Sequence, residues 1–205
     1  MKKLYFFLAF FAITIHSNAQ TQIWSDTFED TGAPSTGSRT PSLNFSCGSP
    51  ATSYFFRTDN SGITLGTGSY TNFQGSKFWA GEDLDSGPTC TNASISANQF
   101  VTWSGINIAG KTALSFKGLF AANGSFGSNW EGSSFGANQD YIVVEYRIDG
   151  GSWNKAVAFY AGTTGQTQTL KLETTGDLVG DGADLTYSFA EFSANLSGTG
   201  SLLDL

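Results

Sequence analysis

The sequence predicts an all-β fold built as two packed antiparallel sheets, a β-sandwich. Three observations carry this. Helix signals are nearly missing across the 205 residues. Short apolar-alternating runs recur between clusters of Gly, Ser, Thr and Asn, which is the pattern of strands joined by turns. And the stretch YIVVEYRIDGGSW, residues 141–153, reads as a complete hairpin start. In it Ile142, Val144, Tyr146 and Ile148 point one way, while Val143, Glu145, Arg147 and Asp149 point the other. Asp149-Gly150-Gly151 then supplies the positive φ angles of a tight turn.

The elements follow in order. Residues 1–19 are expected to be a signal peptide: MKK is a basic start, LYFFLAFFAITI an apolar run, and SNA a small-residue cleavage site before Gln20. The alternative, an uncleaved anchor, suits these flanks poorly, and the run is short for a membrane span. Residues 20–205 are expected to form one domain. Ile23–Phe28 is the first expected strand. A long connection follows, with Pro34, Pro41 and Pro50. Then come Ser53–Arg57, Ser76–Gly81, Gln99–Ile108, Ala113–Ala121, Tyr141–Asp149, Ser152–Tyr160 and Leu185–Leu196. No helical crossover is available, so no parallel sheet is expected. The chain stops at GTGSLLDL, within what reads as a new apolar strand, which leads to the expectation that the domain lacks its last strand or strands.

Charge and composition exclude several chemistries. The formal charge is -7; without Lys2 and Lys3 it is -9, from 8 basic and 17 acidic residues. Such a surface repels phosphate backbones, so no nucleic-acid partner is expected. The only histidine, His16, lies in the leader. The mature chain therefore has no imidazole for Ser-His-Asp or Cys-His machinery, nor for the usual zinc sites. Cys47 and Cys90 allow one intramolecular bridge, suited to an exported protein; if closed, a loop of this length contributes roughly 4 kcal/mol. Two free thiols are the alternative.

The acids need weighing. In FWAGEDLDSG, residues 78–87, Asp83 and Asp85 share one side of an extended strand end and Glu82 faces the other. With Glu29, at the end of the first expected strand, Asp83 and Asp85 are candidate Ca²⁺ ligands; a solvated loop is the plainer alternative. Asp177, Asp181 and Asp184 form a second acidic group without EF-hand spacing. Glu145 and Asp149 are about 13 Å apart by strand rise, too wide for a retaining glycosidase pair, and Arg147 between them marks an exposed charged ladder. The five tryptophans, Trp24, Trp79, Trp103, Trp130 and Trp153, belong mostly to the core. Trp130 and Phe135, in a Gly/Ser/Asn-rich stretch, are the candidate ligand contacts.

FEDTGAPS, WAGEDLD, INIAGKTALSFKGLFAA, DYIVVEYRIDGGSW and LSGTGSLLDL, together with a leader ending in NAQ, resemble an exported β-sandwich domain of Bacteroidetes-type surface and secreted proteins. The resemblance spans nearly the whole mature chain. It implies a jelly-roll, carbohydrate-binding-module-like sandwich found beside adhesion, lamin-tail or nuclease modules. Two departures are visible. The loop that is often acid-rich in that family keeps only Glu131 and Asp140, and the chain stops where relatives continue toward a sorting domain. The expected function is a non-catalytic secreted or cell-surface binding or adhesion module. It would contact glycan or another surface component, with Ca²⁺ as a candidate stabiliser, as a monomer without membrane insertion. A carboxylate-dependent polysaccharide hydrolase or lyase, and a structural spacer of a larger surface protein, are the alternatives.

Overall fold

The computed structural model describes residues 21–29, 37–65, 68–84, 96–123 and 130–205. The expected leader, Asp85 and Cys90 lie outside the described residues. Fourteen strands are found among the described residues: β1 (Ser38–Pro41), β2 (Phe45–Gly48), β3 (Ala51–Thr58), β4 (Phe78–Glu82), β5 (Val101–Ser104), β6 (Ile106–Asn107), β7 (Ser115–Phe120), β8 (Trp130–Glu131), β9 (Tyr141–Ile148), β10 (Asn154–Ala161), β11 (Gln166–Thr167), β12 (Leu170–Leu172), β13 (Ala190–Asn195) and β14 (Leu202–Asp204). A 3₁₀ turn covers Ser133–Asn138. Every strand ladder is antiparallel. The all-β sandwich expected from the sequence is the fold observed. Among the described residues no helix is long and apolar enough to cross a membrane.

One layer runs β12-β10-β9-β14-β6. The hairpin at its centre forms as the sequence dictates: Asp149 (φ 49°) and Gly150 (φ 71°) both take the left-handed conformation, matching the twist of the strands they join. The inward row Ile142, Val144 and Tyr146 of β9 meets Val157 and Phe159 of β10. A register shift between Lys155 and Val157 brings the latter pair to the same face. Against this layer lies the β13-β7 ribbon, whose Phe116, Phe120, Phe192 and Ala194 close one core with Val157, Phe159, Leu170 and Leu185. Phe159 and Leu170 are completely buried, each stabilising the fold by roughly 1.5–3 kcal/mol. The rings of Phe159 and Phe192 meet nearly edge-on, 4.8 Å apart at 85°, the arrangement their quadrupoles favour.

β14 sits inside its sheet. Leu203 pairs with Ile148 of β9 on one side and with Ile106 of β6 on the other. Leu205 then exchanges two backbone hydrogen bonds with Trp103 of β5, both 2.9 Å. Leu203 and Leu205 are buried with Ile106, Ile108, Tyr146 and Leu196. Strands distant in sequence thus pair with β14 along both of its edges.

The three-stranded sheet β2-β3-β4 has apolar residues on both faces. Tyr54, Phe78 and Ala80 pack with Tyr70, Phe73 and Phe189 on one face. Phe45, Cys47 and Phe55 pack with Leu43, Trp79 and Val101 on the other. Thr71 joins this region to the stretch before β13, donating to Tyr187 O (3.0 Å) and accepting from Phe189 N (2.9 Å).

Candidate functional site

Arg57 of β3 lies directly opposite Trp79 of β4. That register places a guanidinium beside an indole, although 22 positions separate them in the chain. β1 adds Arg39 and Pro41, and Asn44 comes from the link into β2. With Phe56 these residues line a pocket of about 390 Å³. Its lining includes aromatic and cationic groups and one exposed amide, Asn44, with no carboxylate among the described residues that line it.

Residues 26–28, before β1, hold the two arginines of this lining. Asp26 accepts from Arg39 Nη1 at 2.6 Å, from Trp103 Nε1 at 2.7 Å and from the Phe28 backbone N–H at 2.8 Å. Only 3% of the Arg39 side chain and 4% of the Asp26 side chain is exposed. A buried ion pair is tolerated only when its remaining polar valences are filled, and here indole and backbone donors fill the carboxylate's. Phe28 carries φ 60°, a left-handed conformation costly for a bulky residue. In that conformation its carbonyl accepts from Arg57 Nη1 at 2.7 Å, and its ring lies 5.2 Å from the Arg39 guanidinium. The Trp79 indole N–H is buried without a hydrogen-bond partner.

The residues singled out from sequence fall elsewhere. Glu29 is held at the start of β4, where its carboxylate accepts from Ser76 N (2.6 Å), Ser76 Oγ (2.6 Å) and Lys77 N (2.9 Å). The Ser76 hydroxyl, first among these donors, holds its carboxyl below the usual range. Asp83 lies past the other end of β4, a strand about 13 Å long by rise per residue. There φ is 50° and its carbonyl accepts from Ser53 Oγ at 2.8 Å. Glu29 and Asp83 are thus not brought together, and Asp85 lies outside the described residues. Among the described residues no cluster of three or more His, Cys, Asp or Glu side chains is arranged to hold a metal ion.

Trp130, expected as a ligand contact, packs against the core around Phe159 and Leu170. Its strand pairs Thr167 with it, and its indole N–H is buried without a partner. The Gly- and Ser-rich surroundings suggested exposure, but the ring follows the apolar surface beneath it. Phe135, on the adjoining 3₁₀ turn, is 38% exposed. Cys47 is buried on β2 beside Phe45 and Phe55; Cys90, its expected partner, lies outside the described residues.

The remaining acids are occupied one by one. Asp149 accepts from the backbone N–H of Leu202 (2.8 Å), Arg147 pairs with Asp204 (2.8 Å), and Glu145 faces Lys155 across the hairpin, so the charged ladder has structural partners along its length. Asp181 accepts from Thr174 N (2.9 Å), Asp177 from Val179 N (3.0 Å), and Asp184 pairs with Lys171 (2.9 Å). Glu82 differs. Desolvation raises its carboxyl above the ordinary value, the neighbouring Asp83 charge adds to this, and a hydrogen bond from Tyr54 works against it.

No family model, curated protein or solved structure matches this chain.

Proposed function

We propose that the chain is an exported, non-catalytic β-sandwich module that binds glycan through the pocket between β1, β3 and β4. The observation that carries this is the lining itself: the Trp79 indole beside Arg57, Arg39 and Asn44. Sugar rings are recognised by an apolar face that meets their C–H surface and by planar polar groups that bond their hydroxyls. Export rests on the leader at residues 1–19, and a Cys47–Cys90 bridge fits that compartment. Ca²⁺ over Glu29, Asp83 and Asp85 together is set aside, since Glu29 is tied to Ser76. Ca²⁺ at the loop beginning with Asp83 is tested by melting curves with CaCl₂ and with EDTA, and superimposable curves remove it.

A carboxylate-dependent hydrolase or lyase is the second reading, favoured by one observation, the raised carboxyl of Glu82 beside the Tyr54 phenol. Affinity electrophoresis against a panel of polysaccharides, run beside a reducing-sugar release assay, separates the two. Retardation without release, weakened by Trp79→Ala, supports the binding module. Release abolished by Glu82→Gln supports the enzyme. No retardation and no release leaves the structural spacer.

A further inference from the structure

The outer face of the five-stranded layer carries exposed rings that the pocket does not use. On β9 the row Ile142, Val144, Tyr146 and Ile148 packs into the cores, so Tyr141, Val143, Glu145 and Arg147 form the opposite row. Trp153 is 42% exposed and lies against this outer row, with the Arg147 guanidinium 4.6 Å from its ring centroid. Tyr141, at the other end of the row, is 45% exposed. Arg147 and Tyr141 are about 20 Å apart by strand rise.

Both rings are fixed in place. Arg147 Nε donates to Asp204 at 2.8 Å, and Asp204 accepts in turn from the Gly105 backbone N–H at 3.0 Å. The cation against Trp153 is thereby anchored to β14 and to the link between β5 and β6. Tyr141 packs on Tyr160 of β10, their centroids 5.8 Å apart, and its hydroxyl donates to Asn98 Oδ1 at 2.7 Å. Rings held in this way lose little conformational freedom when a ligand settles on them.

Between the rings, charges of opposite sign stand together. Glu145 lies opposite Lys155, and both are exposed. Lys155 Nζ is also 3.8 Å from a Glu173 oxygen. A polyanion or a polycation laid along this face meets like charge, which costs affinity. A chain of uncharged hydroxyls meets a cationic donor and an anionic acceptor instead, while its C–H surfaces meet the two rings.

We infer that the outer face of β9 and β10 is a second glycan-binding surface, one that takes an uncharged polysaccharide lying along β9. Trp153 and Tyr141 stack on sugar rings at its two ends, and Glu145 and Lys155 bond hydroxyls between them. The inference rests on the glycan-binding reading above and adds a surface that shares no residue with the Trp79 pocket.

The test is affinity electrophoresis of the whole chain in gels containing mannan or xyloglucan, which are uncharged, or polygalacturonate or carrageenan, which are anionic. An uncharged polymer is expected to retard the chain. Trp153→Ala and Tyr141→Ala should each weaken that retardation roughly three- to tenfold, with melting temperatures close to the parent's because both side chains are exposed. Trp153→Phe keeps a ring and should retain most of the binding. Tyr141→Ala keeps the test valid if Trp153→Ala is unstable. Retardation by an uncharged polymer that both alanine variants leave unchanged overturns this surface, and its loss in Trp79→Ala then assigns binding to the pocket alone. Retardation by the anionic polymers alone overturns the inference and leaves glycan binding standing. No retardation by any polymer overturns both.

Discussion

Trp79 and Trp130 differ in position more than in chemistry. Both are half-buried, and both bury an indole N–H without a partner. Yet Trp79 lines a cavity beside two guanidinium groups, whereas Trp130 packs against Phe159 and Leu170. An unsatisfied buried donor costs about 1–3 kcal/mol wherever it lies. At Trp79 that cost is carried by a ring that also lines a cavity. Within an apolar core it is only the polar edge of a ring retained for its bulk. The difference teaches that an orphan donor marks a site only together with the space in front of it.

The comparison is open to direct attack. The largest effect is expected from Trp130→Ala, which removes a ring from the main core and should destabilise the fold by about 3–5 kcal/mol, read as a fall in denaturant midpoint. If that variant instead keeps its stability and loses polysaccharide binding, the roles of the two tryptophans are reversed. Next comes Asp26→Asn, which removes the carboxylate charge buried against Arg39. The expected cost is about 3 kcal/mol, with binding weakened in parallel because Phe28 loses its anchor. Third, Trp79→Phe keeps a ring in the pocket and deletes the N–H. Its melting temperature should stay within a few degrees of the parent, while affinity falls several-fold by isothermal titration. Trp130→Phe should leave affinity unchanged.

The smallest effect concerns pH and the two ends of β4. The Glu29 carboxyl is lowered by Ser76, and Asp59 and Asp181 are lowered by Lys77 and Thr174. Groups of this kind contribute stability that is present above about pH 4, the unfolded carboxyl value, and is lost as pH falls through their lower folded values. Glu82 has the opposite sign. Its folded pKa is raised by desolvation, so its ionised form opposes folding at neutral pH, and that cost is relieved as pH falls through the raised value. Glu82→Gln should therefore flatten the melting temperature between neutral pH and about pH 5 while leaving the acid limb below pH 4 in place. An unchanged profile in the variant would contradict the desolvation of Glu82.

How much of this was legible in the sequence depends on range. The β9–β10 hairpin was readable because alternation and the Asp-Gly-Gly turn are local properties of residues 141–153. β1 and β2 were not: each has four residues within a Ser-, Thr- and Pro-rich connection, and their pairing with β5 and β3 is what makes them strands. Ile23–Phe28 reads as a strand but joins no ladder. It is fixed by the Asp26 side chain and by Trp24, which packs against the core formed by Ile106 and Tyr146. The site was hidden for the same reason. Arg39, Arg57 and Trp79 are unremarkable singly, and only the register Arg57↔Trp79 and the distant carboxylate of Asp26 gather them. Glu29 and Asp83, by contrast, looked close because each flanks a strand, and sequence does not say which end of which strand.

β14 also decides what a small deletion would do. Among the described residues its three residues join β9 to β6, and Leu205 just beyond them reaches β5. Removing residues 202–205 would take a backbone partner from Ile148, Ile106 and Trp103 at once and open two strand edges.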